Sequence, residues 1–144
     1  MGWALEPAPG PRVLDLGAGT GKLTATLVAL GAEVSAVEPD PAMLTELRRA
    51  LPAVRARAGS AEAIPLPDAS VDAVLAGNAL HWFDMAVAAP EIARVLAPGG
   101  VLAGLWNVLD DREATLGRIR AHLAAMTGEF VLPLLTGVLR MRAR

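Results

Sequence analysis

The stretch Val13-Leu14-Asp15-Leu16-Gly17-Ala18-Gly19-Thr20-Gly21 decides how this chain folds. Its first four residues are an apolar run, broken by one carboxylate, that reads as a buried strand ending at Gly17. Glycines then alternate at positions 17, 19 and 21. Lacking a Cβ, they let the backbone turn tightly and come close to a ligand. Residues 20–30 follow as a helix, with Leu23, Leu27 and Leu30 on one face and Gly31 as its stop. Free N–H groups and a partial positive charge at such a helix start suit a carboxylate or a phosphate.

The same alternation continues outward. Residues 33–37 read as a second strand. Residues 40–51 read as a second helix, with Asp40 able to cap it, Pro41 in its first turn and Pro52 past its end. Residues 54–58 are a weaker third strand, Pro65 and Pro67 mark a loop, and 71–76 are a fourth strand. Residues 86–96 are a helix closed by Pro98-Gly99-Gly100, 101–106 a fifth strand, and 112–126 a helix with Leu116, Ile119 and Leu123 on one side. Strands separated by helices imply right-handed crossovers. The expected fold class is α/β: a Rossmann-like, doubly wound, mainly parallel sheet of at least five strands with helices on both faces. A single domain is expected over 1–144, with its core at 12–126 and a tail, 127–144, left unassigned. In such sheets ligands sit beyond the carboxyl ends of the strands, which selects the segments 15–22, 38–43, 59–64, 77–84 and 106–111.

Composition narrows the function. Hydrophobic residues make up 53% and aromatics 3%, so the core is aliphatic. A net charge of −2 argues against a nucleic-acid platform, which carries a basic face. The absence of cysteine excludes disulfides and thiolate metal sites. Residues 1–11 lack the pattern of a secretory signal, and no apolar run reaches the ~20 residues of a membrane helix, so a cytoplasmic protein without an integral membrane segment is expected.

The glycine spacing bears on the ligand. A dinucleotide fingerprint, G-x-G-x-x-G counted from Gly17, would need glycine where Lys22 stands, which sets a nicotinamide-dependent oxidoreductase aside. Asp15 just before the glycines would be unwelcome beside a pyrophosphate but suits a ligand carrying an ammonium group. Glu38, closing the second strand, can accept hydrogen bonds from both hydroxyls of a ribose. The plainer alternatives are a tight turn with no ligand and, for Glu38, an ordinary surface glutamate before Pro39.

Residues 13–21 resemble motif I of class I S-adenosylmethionine-dependent methyltransferases. Val37-Glu38-Pro39-Asp40-Pro41-Ala42-Met43 resembles their second motif. Gly59-Ser60-Ala61-Glu62-Ala63-Ile64-Pro65-Leu66 with Val71-Asp72-Ala73-Val74 resembles their third- and fourth-strand region, and Leu96-Ala97-Pro98-Gly99-Gly100 the turn before their fifth strand. The match covers residues 12–108 and is closest to the "type 11" small-molecule group. It implies S-adenosyl-L-methionine as cofactor. Asp15, Gly17 and Gly19 would hold its methionine end, Glu38 its ribose, and Met43 would pack near the adenine. Ala61 and Glu62 would meet the adenine amino group, and Asn78 the reacting centre. Ala18, Gly21 and Pro39 complete the implied cofactor-binding set.

On the acceptor side, Asn78-Ala79-Leu80-His81-Trp82-Phe83-Asp84 follows the fourth strand. Its aromatics can wall a pocket and exclude water. His81 reads as a general base, a pocket wall or simple loop packing. Neither His81 nor His122 lies in a metal-ligand pattern, and no metal is expected. The resemblance implies methyl transfer to a small organic acceptor, the alternative being a cofactor-binding domain with an incomplete acceptor site. The chain departs from the family pattern at both ends: residues 1–11 hold Pro7, Pro9 and Pro11 where a covering helix is usual, and the last two strands are not recognisable. The fifth strand would then lie at a sheet edge. Residues 130–139 are expected to shield that edge or the adjacent helix face as a short or irregular cover, because Pro133 cannot donate to a ladder, or else to join a partner chain as a homodimer. Arg140, Arg142 and Arg144 read as a solvated basic end.

Overall fold

The computed structural model describes Leu5, residues 8–105 and the strand 138–142. β1 (Arg12–Leu16) is followed by α1 (Lys22–Ala29), β2 (Glu33–Glu38), α2 (Pro41–Ala50), β3 (Arg55–Ala58), β4 (Val71–Gly77), α3 (Met85–Val95), β5 (Leu96–Leu105) and β6 (Val138–Arg142). The sheet order is β3-β2-β1-β4-β5-β6. The first five strands run parallel, and β6 is antiparallel to β5. The expected α/β class and its parallel five-strand arrangement are what is found. The helix at 112–126, the strand end at Trp106 and the loop 106–111 lie outside the described residues.

Residue parity sorts the core into two faces, as it must in a strand. Val13, Ala73, Leu75, Val101 and Ala103 pack with Leu27 of α1. Leu14, Leu16, Val74, Ala76 and Leu102 pack with Ala88, Ile92 and Val95 of α3. Leu47 of α2 sits on Ala36 of β2. Helices therefore cover both faces. Among the described residues no helix is long and apolar enough to cross a membrane.

Helix ends follow their caps. Asp40 accepts from the N–H groups of Ala42 and Met43 (2.8 and 3.0 Å), and Pro41 opens α2. Asp84 accepts from Ala86 N–H and caps α3. Gly31 stops α1 at φ +84°, a conformation that favours glycine.

Most element ends shift by a residue or two, and two differences go further. β5 begins at Leu96 rather than at Val101. Val71 pairs with Leu96 and Ala73 with Val101, so the proline–glycine turn is a bulge inside the strand and not its prelude. Gly99 there has φ +77°. The second difference is β6. The β5 edge is covered by its own chain, but by a regular five-residue strand that starts where the expected cover ends and includes Arg140 and Arg142. Apolarity was the wrong guide: a ladder is made by backbone groups, which arginine supplies as well as any residue, and charged residues are usual on an edge strand.

Deleting residues 138–144 is expected to bare the β5 ladder and cause self-association at micromolar concentrations, read by light scattering. A truncated chain that scatters like the parent would show that β6 is dispensable.

Candidate functional site

A cavity of about 440 Å³ opens beyond the carboxyl ends of the strands. The turn after β1 lines it with Gly17 and Gly19, and the end of β2 with Glu38, Pro39, Asp40 and Met43. The loop after β3 contributes Ser60, Ala61 and Glu62, and the end of β4 with the segment after it contributes Gly77, Asn78, Ala79, Trp82 and Phe83. Four loops thus converge at one mouth, where an open α/β sheet is expected to place its ligand.

The glycine loop is set by its backbone. Gly17, Gly19 and Gly21 have φ of +72°, +57° and +91°. Gly17 and Ala18 donate their N–H groups to the Val37 carbonyl (2.9 and 3.1 Å), and Gly21 donates to the Ala18 carbonyl (3.0 Å). Gly19 N–H donates to Glu38 Oε2 at 2.8 Å, while Glu38 Oε1 accepts from Asp40 N–H, also at 2.8 Å. Glu38 is 6% exposed, and its carboxylate locks the two loops together. The N–H groups of Gly17, Ala18, Gly19 and Gly21 are therefore engaged within the protein.

The glycines differ in what surrounds them. A Cβ on Gly17 would lie 2.7 Å from Ala79 Cβ, and one on Gly21 3.0 Å from Leu47 Cγ. A Cβ on Gly19 would meet only Met43 Sδ, at 3.9 Å, and otherwise faces the cavity.

Eight residues named from the sequence line the cavity: Gly17, Gly19, Glu38, Pro39, Met43, Ala61, Glu62 and Asn78. Asp15, Ala18, Gly21 and His81 are not among the lining residues. Ala18 and Gly21 are buried behind the loop. His81 is exposed, its ring tilted on Trp82 with centroids 4.9 Å apart, and it is Trp82, 80% exposed, that reaches the mouth. Glu62 Oε1 accepts from Asp84 N–H at 2.8 Å, so only part of this carboxylate is left for a ligand. Burial pushes the Glu62 carboxyl up, but backbone N–H groups and Ser60 outweigh it and hold the group below its ordinary value. Asp40, Ser60, Gly77 and Ala79 were not singled out from the sequence. Asp40 was spoken for as a cap, and the others are small residues whose type carries no signal. Among the described residues no cluster could hold a metal ion.

The comparisons fit this geometry. The sequence pattern of the methyltransferase domain family matches residues 14–104. The chain belongs to that family. A methyltransferase of Mycobacterium tuberculosis is 58% identical over 118 residues, covering 82% of this chain and 47% of the relative. The malonyl-[acyl-carrier protein] O-methyltransferase of Methylococcus capsulatus is 40% identical over 132 residues, covering 86% and 46%. The chain thus spans about half the length of these relatives. Among solved structures, a SAM-dependent methyltransferase of Aquifex aeolicus superposes with a TM-score of 0.78 at 19% identity, covering 96% of this chain and 84% of that one, a likeness of fold.

In this methyltransferase-family chain Asp15 is a buried carboxyl under the glycine loop. Oδ2 accepts from Thr24 Oγ1 at 2.5 Å, and Oδ1 is buried with no partner among the described residues. Burial raises its pKa to about 6; the Thr24 hydrogen bonds act against that, and the Glu38 charge adds to it. A raised carboxyl costs stability once it must ionise. The unfolded chain loses this proton near pH 4, so stability falls as pH rises from about 4 to about 6 and levels off above, by at most ~3 kcal/mol. Asp15→Asn is expected to abolish that fall, measured as the difference between wild-type and variant urea-unfolding free energies from pH 4 to 7. A difference that does not change with pH would place the group's pKa near its ordinary value.

Proposed function

We propose that the chain binds S-adenosylmethionine in this cavity and transfers its methyl group to a small organic acceptor. The observation that carries the reading is Glu38. Its carboxylate fills the Gly19 N–H and lines the cavity beside Asp40 and Glu62, and no basic residue lines the wall among those described. Such a wall repels a pyrophosphate and attracts a ligand with a sulfonium and an ammonium group. The volume lies within the ~300–1,000 Å³ of small-ligand pockets. The left-handed glycines leave room for the ligand's approach, and Asp15 Oδ1, without a partner among the described residues, supplies a buried negative pole beneath the loop.

Within that reading, Gly17 and Gly19 hold the methionine end, with Asp15 acting from below. Each Glu38 oxygen keeps a second lone pair for a ribose hydroxyl. Met43 and Ala61 pack the base, Glu62 offers its remaining oxygen to the base amino group, and Asn78 faces the reacting centre. Ala18, Gly21 and Pro39 shape the loops. The cofactor supplies a methyl group already activated by its sulfonium. What these residues add is alignment and exclusion of water, with Trp82 and Phe83 at the mouth. His81 acts through its contact with Trp82 or as a base for an acceptor lying over that ring.

His81→Ala is expected to lower the transfer rate by about tenfold while leaving cofactor affinity within about twofold, as for one packed or proton-accepting group on the acceptor side. Equal losses in rate and affinity would move His81 to the cofactor side.

A second reading, a cofactor-binding domain with an incomplete acceptor site, is favoured by the place of His81, the candidate base, which does not line the cavity. Calorimetric titration with S-adenosylhomocysteine, paired with tritium transfer from methyl-labelled cofactor across small-molecule pools, tests both. Binding with transfer supports the enzyme, binding without transfer the second reading, and no binding rejects both. The pools include malonyl thioesters, the acceptor class named by the M. capsulatus relative, although the acidic wall disfavours an anionic acceptor.

A further inference from the structure

The connection from Gly59 to Ser70 lays Ser60, Ala61 and Glu62 along the cavity, yet the pairing described within it is a single bridge, Ser60 with Ala63. Backbone polar groups without a ladder need other partners. The Ile64 carbonyl takes the Leu66 N–H at 2.8 Å within the loop, and side chains of α3 provide further partners. Ile64 N–H donates to Glu91 Oε2 at 2.9 Å, and the Ile64 carbonyl accepts from Arg94 Nη2 at 2.9 Å. The two side chains that take these groups also hold each other: Arg94 Nε donates to Glu91 Oε1 at 2.7 Å, and Arg94 Nη2 to Glu91 Oε2 at 2.9 Å. Arg94 Nη1 reaches on to the Leu66 carbonyl (2.9 Å) and Asp68 Oδ1 (2.8 Å). Arg94 and the Ile64 N–H hold the Glu91 carboxyl down to about 2, so the pair stays ionised at any working pH. At the other end of α3, Asp84 N–H donates to Glu62. The stretch 61–64 is therefore strung between the two ends of one helix, with the side chains of Ala61 and Ile64 in the core against that helix.

We propose that Glu91 and Arg94 are positioning residues for the cofactor's base: by gripping both polar groups of Ile64 they fix where Ala61 and Glu62 present theirs, and so set which purine edge the cavity accepts. This rests on the S-adenosylmethionine reading above. Neither side chain lines the cavity, so their effect passes through the loop. A site with fixed donors and acceptors rejects a wrong edge because buried groups are left unpaired, and a loosened loop loses that penalty first. Lysine in place of Arg94 keeps the charge but cannot serve Glu91, Ile64 and Leu66 from one planar fork.

The test compares S-adenosylhomocysteine with S-inosylhomocysteine, whose base carries a keto oxygen in place of the amino group. The full chain is titrated with each by calorimetry, as wild type, Arg94→Lys, Glu91→Gln and Arg12→Lys, with thermal melts alongside. Arg12 forks onto Asp72 at the opposite end of the sheet and serves as a control for general loosening. Wild type is expected to prefer the adenine ligand by about tenfold or more. That ratio should fall by about threefold or more in both α3 variants and hold in Arg12→Lys. An unchanged ratio in folded Glu91→Gln and Arg94→Lys, or an equal fall in all three variants, overturns the proposal. If wild type binds both ligands alike, the proposal falls alone. If it binds neither, the S-adenosylmethionine reading falls and takes the proposal with it.

Discussion

Gly19→Val should leave a folded chain with at least about a hundredfold loss of affinity for S-adenosylhomocysteine, a cost of about 3 kcal/mol. Around Gly19 the protein leaves space: a Cβ there meets only Met43 Sδ, at 3.9 Å. The backbone at φ +57° penalises an L side chain by roughly 1–2 kcal/mol, which a chain of ordinary stability survives. What valine takes is the volume over the loop where the ligand must pass. Circular dichroism and a thermal melt establish the fold, and calorimetric titration reads affinity. A folded variant with wild-type affinity would remove the ligand from this loop. Gly17 offers no such clean experiment, because its Cβ would strike Ala79 Cβ at 2.7 Å and disturb the loop itself.

Glu38→Ala should weaken ligand binding by roughly 1–3 kcal/mol, the cost of losing hydrogen bonds to a charged group. It should also lower the melting temperature, because the N–H groups of Gly19 and Asp40 both lose their acceptor. The two losses separate in Glu38→Gln, which keeps the side chain's shape and one good acceptor: stability should recover in part while affinity stays low. The exposed Glu46→Ala is the surface control, since its partner Arg49 lies one turn along the same helix. Affinity losses no larger than that of the control would leave Glu38 as a loop tie and nothing more.

Much of this architecture could be read from the chain. Val13–Leu16, Glu33–Val37 and Val71–Ala76 are short apolar runs set between helical patterns, and central parallel strands must be such runs because both their faces are buried. The switch-point rule then named the loops that build the cavity, and eight of the named residues line it. What escaped has a common cause. Asp15 and Gly21 have the right types for a ligand site, yet their place behind the loop depends on a turn whose donors go to Val37 and Ala18. Arg94 contacts Ile64 and Leu66 about thirty positions away, a pairing that side-chain type alone does not disclose. Leu96 pairs with Val71 before a bulge that looks, in one dimension, like a terminating turn. β6 carries arginines in a place where apolarity was the criterion.

The strand order also has a consequence in time. β1 to β5 are joined in sequence by their crossovers, but β5 finds its outer neighbour only at Val138–Arg142, with Leu105 paired to Val138. Chains are made from the amino end, and long-range pairings form slowly. β5 is therefore synthesised, with its edge bare, before the residues that cover it. During that interval the nascent sheet can pair with a neighbouring copy or be held by a chaperone. The yield of native protein should thus depend on translation rate and on expression temperature more than the stability of the finished sheet would suggest.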